Sequence, residues 1–344
     1  MIRVSIMGAT GYAGVELVRL LLQHPEVSLR NLSSVSFEGK PISEIYPALK
    51  GICEERLTGE DGLFEETDVL FTSLPAGLSE PVAKKCREKN ILLIDLGADF
   101  RLSDPEDYER WYGKAYAEPA LHADAVYSIP ELHGERVKQA KIIGNPGCYP
   151  TSIALAVAPA LAEGLIETRG IVIDSKSGVT GAGRGLTQTS HFPDCNEAFS
   201  PYKVACHRHT PEIEQTLSEL AGAALRITFV PHLLPLNRGI ISTVYTEYKG
   251  KKSLAELVET WKAFYRGKPF VRVLEAGETA NLRNVKYSNY CDVSLHLDGR
   301  TGRLILVGAI DNMVKGAAGQ AIQNMNLAMG LPETAGLTMI PPAF

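Results

Sequence analysis

Hydrophobic positions in the first third of the chain alternate between a strand-like and a helix-like period. Ile2-Arg3-Val4-Ser5-Ile6-Met7 is a short apolar strand that runs into Gly8-Ala9-Thr10-Gly11-Tyr12-Ala13-Gly14. Val15, Val18, Leu21 and Leu22 then recur at helical spacing as far as His24-Pro25. Val27 to Leu32 reads as a second strand, Asp68 to Pro75 as a strand and turn, and Asn90 to Asp95 as a further buried strand. A helix from about Ser79 to Lys89 lies between the last two. This alternation predicts an α/β unit with a parallel, doubly wound sheet, whose ligands bind beyond the C-terminal ends of the strands.

After residue 148 the pattern changes. Ile171 to Ser175, Arg226 to Val230, Ile240 to Glu247, Asp292 to Leu297 and Leu304 to Ile310 are longer runs rich in β-branched residues. Leu254 to Tyr265 is the clearest helix among them. An antiparallel or mixed sheet covered by helices on one face follows, a second domain of α+β type. The chain closes on Gly308 to Gln320 and an amphipathic helix through Met329, whose small residues suggest close packing.

A chain of 344 residues is long for one core, so two domains are expected. A net charge of -5 argues against a nucleic-acid or anionic-membrane partner. The six cysteines (53, 86, 148, 195, 206 and 291) are scattered, with no CxxC, and read as reduced thiols of a cytoplasmic protein. No apolar run is long enough to span a bilayer, and the N-terminus has no signal-like segment.

Two stretches carry most of the candidate chemistry. In Gly144-Asn145-Pro146-Gly147-Cys148-Tyr149-Pro150-Thr151, glycines and prolines force a tight turn between a strand ending at Ile143 and a helix from Ser152. Cys148 then sits beside helix-start N–H groups, where the dipole favours thiolate and the amides can hold an oxyanion. The plainer reading is an inert buried cysteine. In His207-Arg208-His209-Thr210-Pro211-Glu212, Thr210 reads as an N-cap and Pro211 as the first helical residue, which puts His209 just before a helix start. The dipole there keeps imidazole neutral, as a general base must be. His207 shares a face with His209 if the segment is extended, and both stay open. A zinc site lacks the further ligands it needs, and Cys206 lacks the turn that exposes Cys148.

Strand, glycine turn and helix at Gly8, Gly11 and Gly14 form the context of a dinucleotide fingerprint, with Thr10, Tyr12 and Ala13 in the same turn. Ser33, Ser34 and Ser36 follow the second strand, with Lys40 beyond. Hydroxyls and an ammonium suit a 2′-phosphate better than a 2′-hydroxyl, so NADP is preferred over NAD. Ser73 and Pro75 lie at another strand end. Arg101, in Asp95-Leu96-Gly97-Ala98-Asp99-Phe100-Arg101, is a clamp for phosphate or carboxylate, or else a surface ion pair. Lys176 to Gly185, with Ser177 and Arg184, is a glycine-rich loop that binds an anion or merely connects.

GATGYAGVEL (8–17), DLGADFRL (95–102), GNPGCYPT (144–151), HRHTPEIEQ (207–215) and DNMVKGAAGQAIQNMN (311–326) together resemble the N-acetyl-γ-glutamyl-phosphate reductases, relatives of aspartate-semialdehyde dehydrogenase. The resemblance runs over nearly the whole chain. It implies an NADP-binding Rossmann domain of residues 1–148 and 312–344, and an inserted α+β catalytic and oligomerisation domain of residues 149–311. It further implies Cys148 as nucleophile, an acid/base histidine at His209 or His207, and Glu212 to orient it. Asn312 joins the cofactor set and Asn145 the substrate set. The implied reaction is NADPH-dependent reduction of an acyl phosphate to a semialdehyde through a cysteine thioester, in arginine biosynthesis, by a homo-oligomer (dimer or tetramer). A paralogue acting on aspartyl phosphate or a carrier-linked aminoadipyl phosphate, or an NADP sensor without turnover, are the alternatives.

Overall fold

The computed structural model describes residues 1–60 and 62–343. The chain forms two compact units, residues 1–146 with 317–338, and residues 147–316 with 339–344.

The first unit is built on a six-stranded parallel sheet. Its strands are β1 (Ile2–Met7), β2 (Val27–Ser33), β3 (Val69–Thr72), β4 (Leu92–Asp95), β5 (Ala125–Tyr127) and β6 (Ile142–Gly144), in the order β2-β1-β3-β4-β6-β5. The order reverses between β1 and β3, the switch point where such sheets open a crevice beyond their C-terminal ends. Gly8 follows β1 and Ser73 follows β3, and the Ser73 N–H donates to the Met7 carbonyl at 2.9 Å. A Cβ on Gly8 would stand 2.6 Å from the Ser73 carbonyl oxygen, and one on Gly14 would stand 2.1 Å from that of Gly8. These two glycines are therefore required by close backbone approach as well as by the positive φ of Gly8.

The helix Gly319–Ala328 is not amphipathic, as its pattern suggested: Gly319 through Asn326 are all buried. Three of its buried amides donate to partners. Gln323 donates to Glu131 and Glu333, Asn324 to the Ser128 carbonyl and to Asn145, and Asn326 to the carbonyls of Glu333 and Ala335. These donated bonds offset much of the cost of burying the amide N–H groups.

The second unit holds β7 (Ile171–Gly178), β8 (Ser200–Pro201), β9 (Ile227–Leu234), β10 (Ile240–Glu247), β11 (Val271–Val273), β12 (Cys291–Asp298) and β13 (Arg303–Ile310). They form a mixed seven-stranded sheet in the order β11-β12-β13-β10-β7-β9-β8. β7 runs on to Gly178, so Lys176 and Ser177 belong to a strand and not to the loop expected there. The helix Cys148–Ala162 packs on β10 and β13 and is buried on every side from Tyr149 to Leu161. It lies hard on the sheet, since a Cβ on Gly308 of β13 would stand 2.3 Å from the Ser152 carbonyl oxygen. The hydroxyls of Ser152, Ser242 and Ser175 meet in a buried chain with 2.7 Å links that joins helix, β10 and β7.

Pro159 interrupts that helix from within. Proline has no N–H for the carbonyl four residues back, which here is Leu155. The Tyr265 hydroxyl takes its place, donating to the Leu155 carbonyl at 2.6 Å, and the Trp261 indole N–H donates to the next carbonyl, Ala156, at 3.0 Å. Both donors lie at the end of the helix Leu254–Phe264, at Trp261 and at its C-cap Tyr265. Tyr265→Phe should therefore cost about 1–3 kcal/mol, because it strands a buried carbonyl. In a Pro159→Ala background, which restores the missing N–H, the same change should cost measurably less. Urea unfolding of the four proteins of this cycle reads the difference.

Candidate active site

Gly144 closes β6 with no room for a side chain: a Cβ would stand 2.0 Å from the Phe100 carbonyl oxygen. The turn that follows contains no residue with positive φ. The glycine thus serves close approach and not the turn itself. Arg101 holds the same segment. Its Nε donates to the Asn145 carbonyl at 2.9 Å and one terminal nitrogen donates to the Leu96 carbonyl at 2.7 Å. Asn145 is fully buried, donates to the Ala317 carbonyl and accepts from Asn324. Both residues, read from sequence as substrate contacts, brace the ends of β4 and β6 within the first unit.

Gly147 is the N-cap of the Cys148–Ala162 helix, with φ −69° and ψ 159°. Among the described residues no side chain caps this helix, and its first turn has no acidic residue. Cys148 is the first helical residue and is half-buried. By contrast, Cys86 is wholly buried, and burial pushes its thiol up to about 12, so it is inert. Two groups hold Gly147. Its N–H donates to a carboxylate oxygen of Glu212 at 2.7 Å, and its carbonyl accepts the Thr151 hydroxyl at 3.0 Å. Glu212, read as a partner for histidine, is fully buried and bonds the turn that carries the cysteine.

His209 is the N-cap of the helix Thr210–Ala221, and Thr210 is its first residue, one place earlier than the sequence pattern indicated. The Tyr149 ring joins the cysteine and histidine stretches. It lies edge-on to His207 with centroids 5.5 Å apart and to His209 at 5.9 Å. The two imidazoles are 4.9 Å apart.

Their hydrogen bonds differ. His207 Nδ1 accepts the His209 backbone N–H at 3.1 Å, so its proton lies on Nε2. From there the donors run one way: His207 Nε2–H to Tyr202 at 3.3 Å, Tyr202 to Tyr149 at 3.2 Å, and Tyr149 to the His232 carbonyl at 3.3 Å. Burial, helped by the nearby charges of Lys203 and Arg208, lowers the His207 pKa to about 4. His207 is thus a neutral, doubly held ring. Both tyrosines are held above their ordinary pKa, by burial first. Tyr202 and Tyr149 were not among the expected site residues; adjacency to Cys148 was the only signal for Tyr149.

Ser177 is buried in β7, and its hydroxyl donates to the Gly178 carbonyl. Arg184 lies in the exposed stretch 181–189. Asn312, expected at the cofactor, belongs to the second unit. Its side chain accepts from the Gly239 N–H at 2.7 Å and donates to Thr180 at 3.0 Å.

In the first unit, Gly11 is the N-cap of the helix Tyr12–Leu21, with φ −70° and ψ 163°, and again no side chain among the described residues caps it. A Cβ on Gly11 would meet only the Gly8 carbonyl, at 3.5 Å, so the space before this helix is open. Thr10 and Ser34, both buried, share a hydroxyl–hydroxyl bond of 2.7 Å that ties the end of β2 to the turn. Ser33 is buried beside it, its carbonyl taking the N–H groups of Gly8 and Ala9. Ser36 and Lys40 are exposed, as is Val35 between the serines at 86%. Ser73 is half-buried and Pro75 exposed at the end of β3. An open, glycine-lined helix start at a switch point fits a pyrophosphate.

Comparison with known proteins agrees with this geometry. Residues 3–140 match the family model for the semialdehyde dehydrogenase NAD binding domain, and residues 148–312 that for the semialdehyde dehydrogenase dimerisation domain. An N-acetyl-gamma-glutamyl-phosphate reductase of Brachyspira hyodysenteriae is 61% identical, and one of Clostridium botulinum 52%, with full coverage of both chains in each case. Among solved structures, aspartate semialdehyde dehydrogenase II of Vibrio cholerae superposes with a TM-score of 0.71 at 17% identity, covering 96% of this chain and 98% of its own. The enzyme of Candida albicans, solved with NADP, gives 0.68 at 17% identity, covering 96% and 98%. At that identity the likeness is one of fold. The chain belongs to the N-acetyl-γ-glutamyl-phosphate reductase family, within the semialdehyde dehydrogenases.

Proposed function

We propose that this protein reduces N-acetylglutamyl 5-phosphate to N-acetylglutamate 5-semialdehyde and phosphate, with Cys148 as nucleophile, in the cytoplasm and as a homo-oligomer. One observation carries the reading: a half-buried cysteine is the first residue of a buried helix whose start is held by a carboxylate of the histidine-bearing helix. Cys148 thiolate attacks the acyl carbon, the bond from that carbon to the phosphate oxygen breaks, and a thioester remains on the enzyme. The helix-start N–H groups stabilise the oxyanion formed in this step and again after reduction. NADPH, when bound, supplies the hydride that converts the thioester to a thiohemiacetal. Collapse of that adduct frees the aldehyde and restores the thiolate.

The acid/base role falls to His209. His207 is neutral with both ring nitrogens engaged, and it accepts the very backbone N–H of His209, so it holds the position of the other ring. The cofactor is held at Gly8 to Gly14, with Ser73 and Pro75 beside it and Ser33, Ser34, Ser36 and Lys40 toward the 2′-phosphate. Arg101, Asn145, Ser177 and Arg184 remain the candidates for the substrate's own anionic groups and Asn312 for the cofactor, with Arg101, Asn145 and Asn312 also bonded within their own units.

Three experiments test these assignments. Run in reverse with N-acetylglutamate semialdehyde, NADP and phosphate, the enzyme should reduce NADP, and Cys148→Ser should abolish this; full turnover by that variant would refute the scheme. Gly11→Ala should leave the melting temperature nearly unchanged, since its methyl meets only one atom at ordinary contact distance, yet weaken NADP binding about tenfold by filling the space before the helix. Gly14→Ala, at 2.1 Å from a backbone oxygen, should instead destabilise the fold by about 1–3 kcal/mol.

The histidines should separate by pH. His207 has a folded pKa of about 4, below its unfolded value, so its contribution is complete above the unfolded pKa near 6.5 and is lost as pH falls toward 4. His207→Gln should flatten the stability curve in that window by up to about 3 kcal/mol. His209→Asn should leave that slope in place and lower kcat by about 100-fold or more. The reverse pattern would exchange the two roles.

A further inference from the structure

We propose that Gly316 is a positioning residue for Cys148, seated against the base of the nucleophile by the π-helical turn Val314–Ala318. This rests on the assignment of Cys148 as nucleophile. A Cβ built on Gly316 would stand 2.8 Å from the Cys148 Cβ, 3.2 Å from its Cα and 3.2 Å from the Ile310 Cδ1. The first two atoms are fixed to the backbone, so no rotamer change relieves the contact. Gly316 does not have positive φ. Glycine is therefore required by the space it leaves and not by its backbone conformation.

The wide turn is what brings it there. The Gly316 N–H donates to the Asp311 carbonyl, five residues back, at 2.9 Å, where an α-helix would use Asn312. The extra residue in the turn changes which side chain faces the cysteine. The turn is also held firmly. The Asp311 carboxylate accepts the N–H groups of Met313, Val314 and Tyr287 at 2.8, 3.1 and 2.7 Å, and Arg238 meets it at 3.5 Å. Lys315, wholly buried, places its ammonium 5.6 Å from the Phe270 ring centre. The struck atoms belong to a helix start that is itself held at Gly147, so the strain falls on the contact between turn and cysteine. A methyl at 316 would push Cys148 by a few tenths of an ångström and re-aim its thiol, and displacements of this kind reduce rate more than binding.

In the full-length protein, Gly316→Ala should lower kcat of the reverse reaction about 10- to 100-fold, with KM for phosphate and for the semialdehyde within twofold. The rate of Cys148 alkylation by iodoacetamide, followed against pH by peptide mass spectrometry, should fall or shift to higher pH. A stability cycle tests the contact without activity: Gly316→Ala should lower the melting temperature less in a Cys148→Gly background, where the struck Cβ is gone. Equal losses in both backgrounds would overturn the proposal. Should Gly316→Ala alone not yield folded protein, recovery in the double variant supports the contact and failure to recover opposes it. The two assignments fail separately. Turnover by Cys148→Ser removes the nucleophile reading, whereas an inactive Cys148→Ser with unaltered kcat and alkylation in Gly316→Ala removes only this one.

Discussion

A hydrogen bond between backbone and buried carboxylate couples the two chemical stretches of this chain, the 2.7 Å bond from the Gly147 N–H to Glu212. Glu212 is fully buried, and a buried carboxylate is costly unless its oxygens are taken. Taking one with the amide just before Cys148 fixes the entry to one helix against the first turn of another. The Gly147 carbonyl is held by Thr151 from the other side, so the residue before Cys148 has little freedom. The remainder of the second unit keeps this joint in place. Gly308 lets the helix settle on β13, three serine hydroxyls tie it to β10 and β7, and Tyr265 repairs the carbonyl that Pro159 leaves open.

Several glycines in this protein are required by close approach and not by a turn. Gly14, Gly144, Gly308 and Gly316 lack positive φ, yet a Cβ on each would stand within 3 Å of a neighbour. Three of those neighbours are backbone carbonyl oxygens and the fourth is the Cβ of Cys148. Such positions set distances between elements to a few tenths of an ångström, which no choice of side chain could do. They lie where a strand or helix must deliver a reactive or binding group.

The alternation of strand and helix periods made the first sheet legible, because a parallel strand is buried on both faces and reads as an apolar run. The β-branched runs made the mixed sheet legible by composition and by alternation, as in β10, where buried and half-buried positions alternate. The short strands β5, β8 and β11 were not, since two or three residues carry no period. The polar residues were harder to read. Arg101, Asn145 and Asn312 have the chemistry of ligand contacts, and each also bonds groups within its own unit, which the sequence did not indicate. The glutamines and asparagines of residues 320–326 looked like a wet helix face and are core. Sequence shows which side chains can donate and accept; partners from distant stretches decide whether they face water. The different surroundings of His207 and His209 were hidden likewise, because they depend on Tyr202 and on a backbone N–H.

The two helix starts that the chemistry needs are built alike. Gly11 and Gly147 are both N-caps, at φ −70° and ψ 163° and at φ −69° and ψ 159°, and neither helix has a side-chain cap among the described residues. Two other helices do carry a side-chain cap, where Asp104 accepts the Glu106 N–H and Ser253 forms a capping box with Glu256, while others such as Ser79–Glu88 and Thr210–Ala221 have none among the described residues. A side-chain cap stabilises a helix by about 1 kcal/mol, and glycine forgoes part of this. What glycine keeps is access, because a serine or aspartate would place its own oxygen where an incoming one must bind. In the first unit that place suits a pyrophosphate, which stays for the whole reaction. In the second it suits an oxyanion that exists only while carbon is tetrahedral, so stabilisation withheld from the resting helix is available to the transition state.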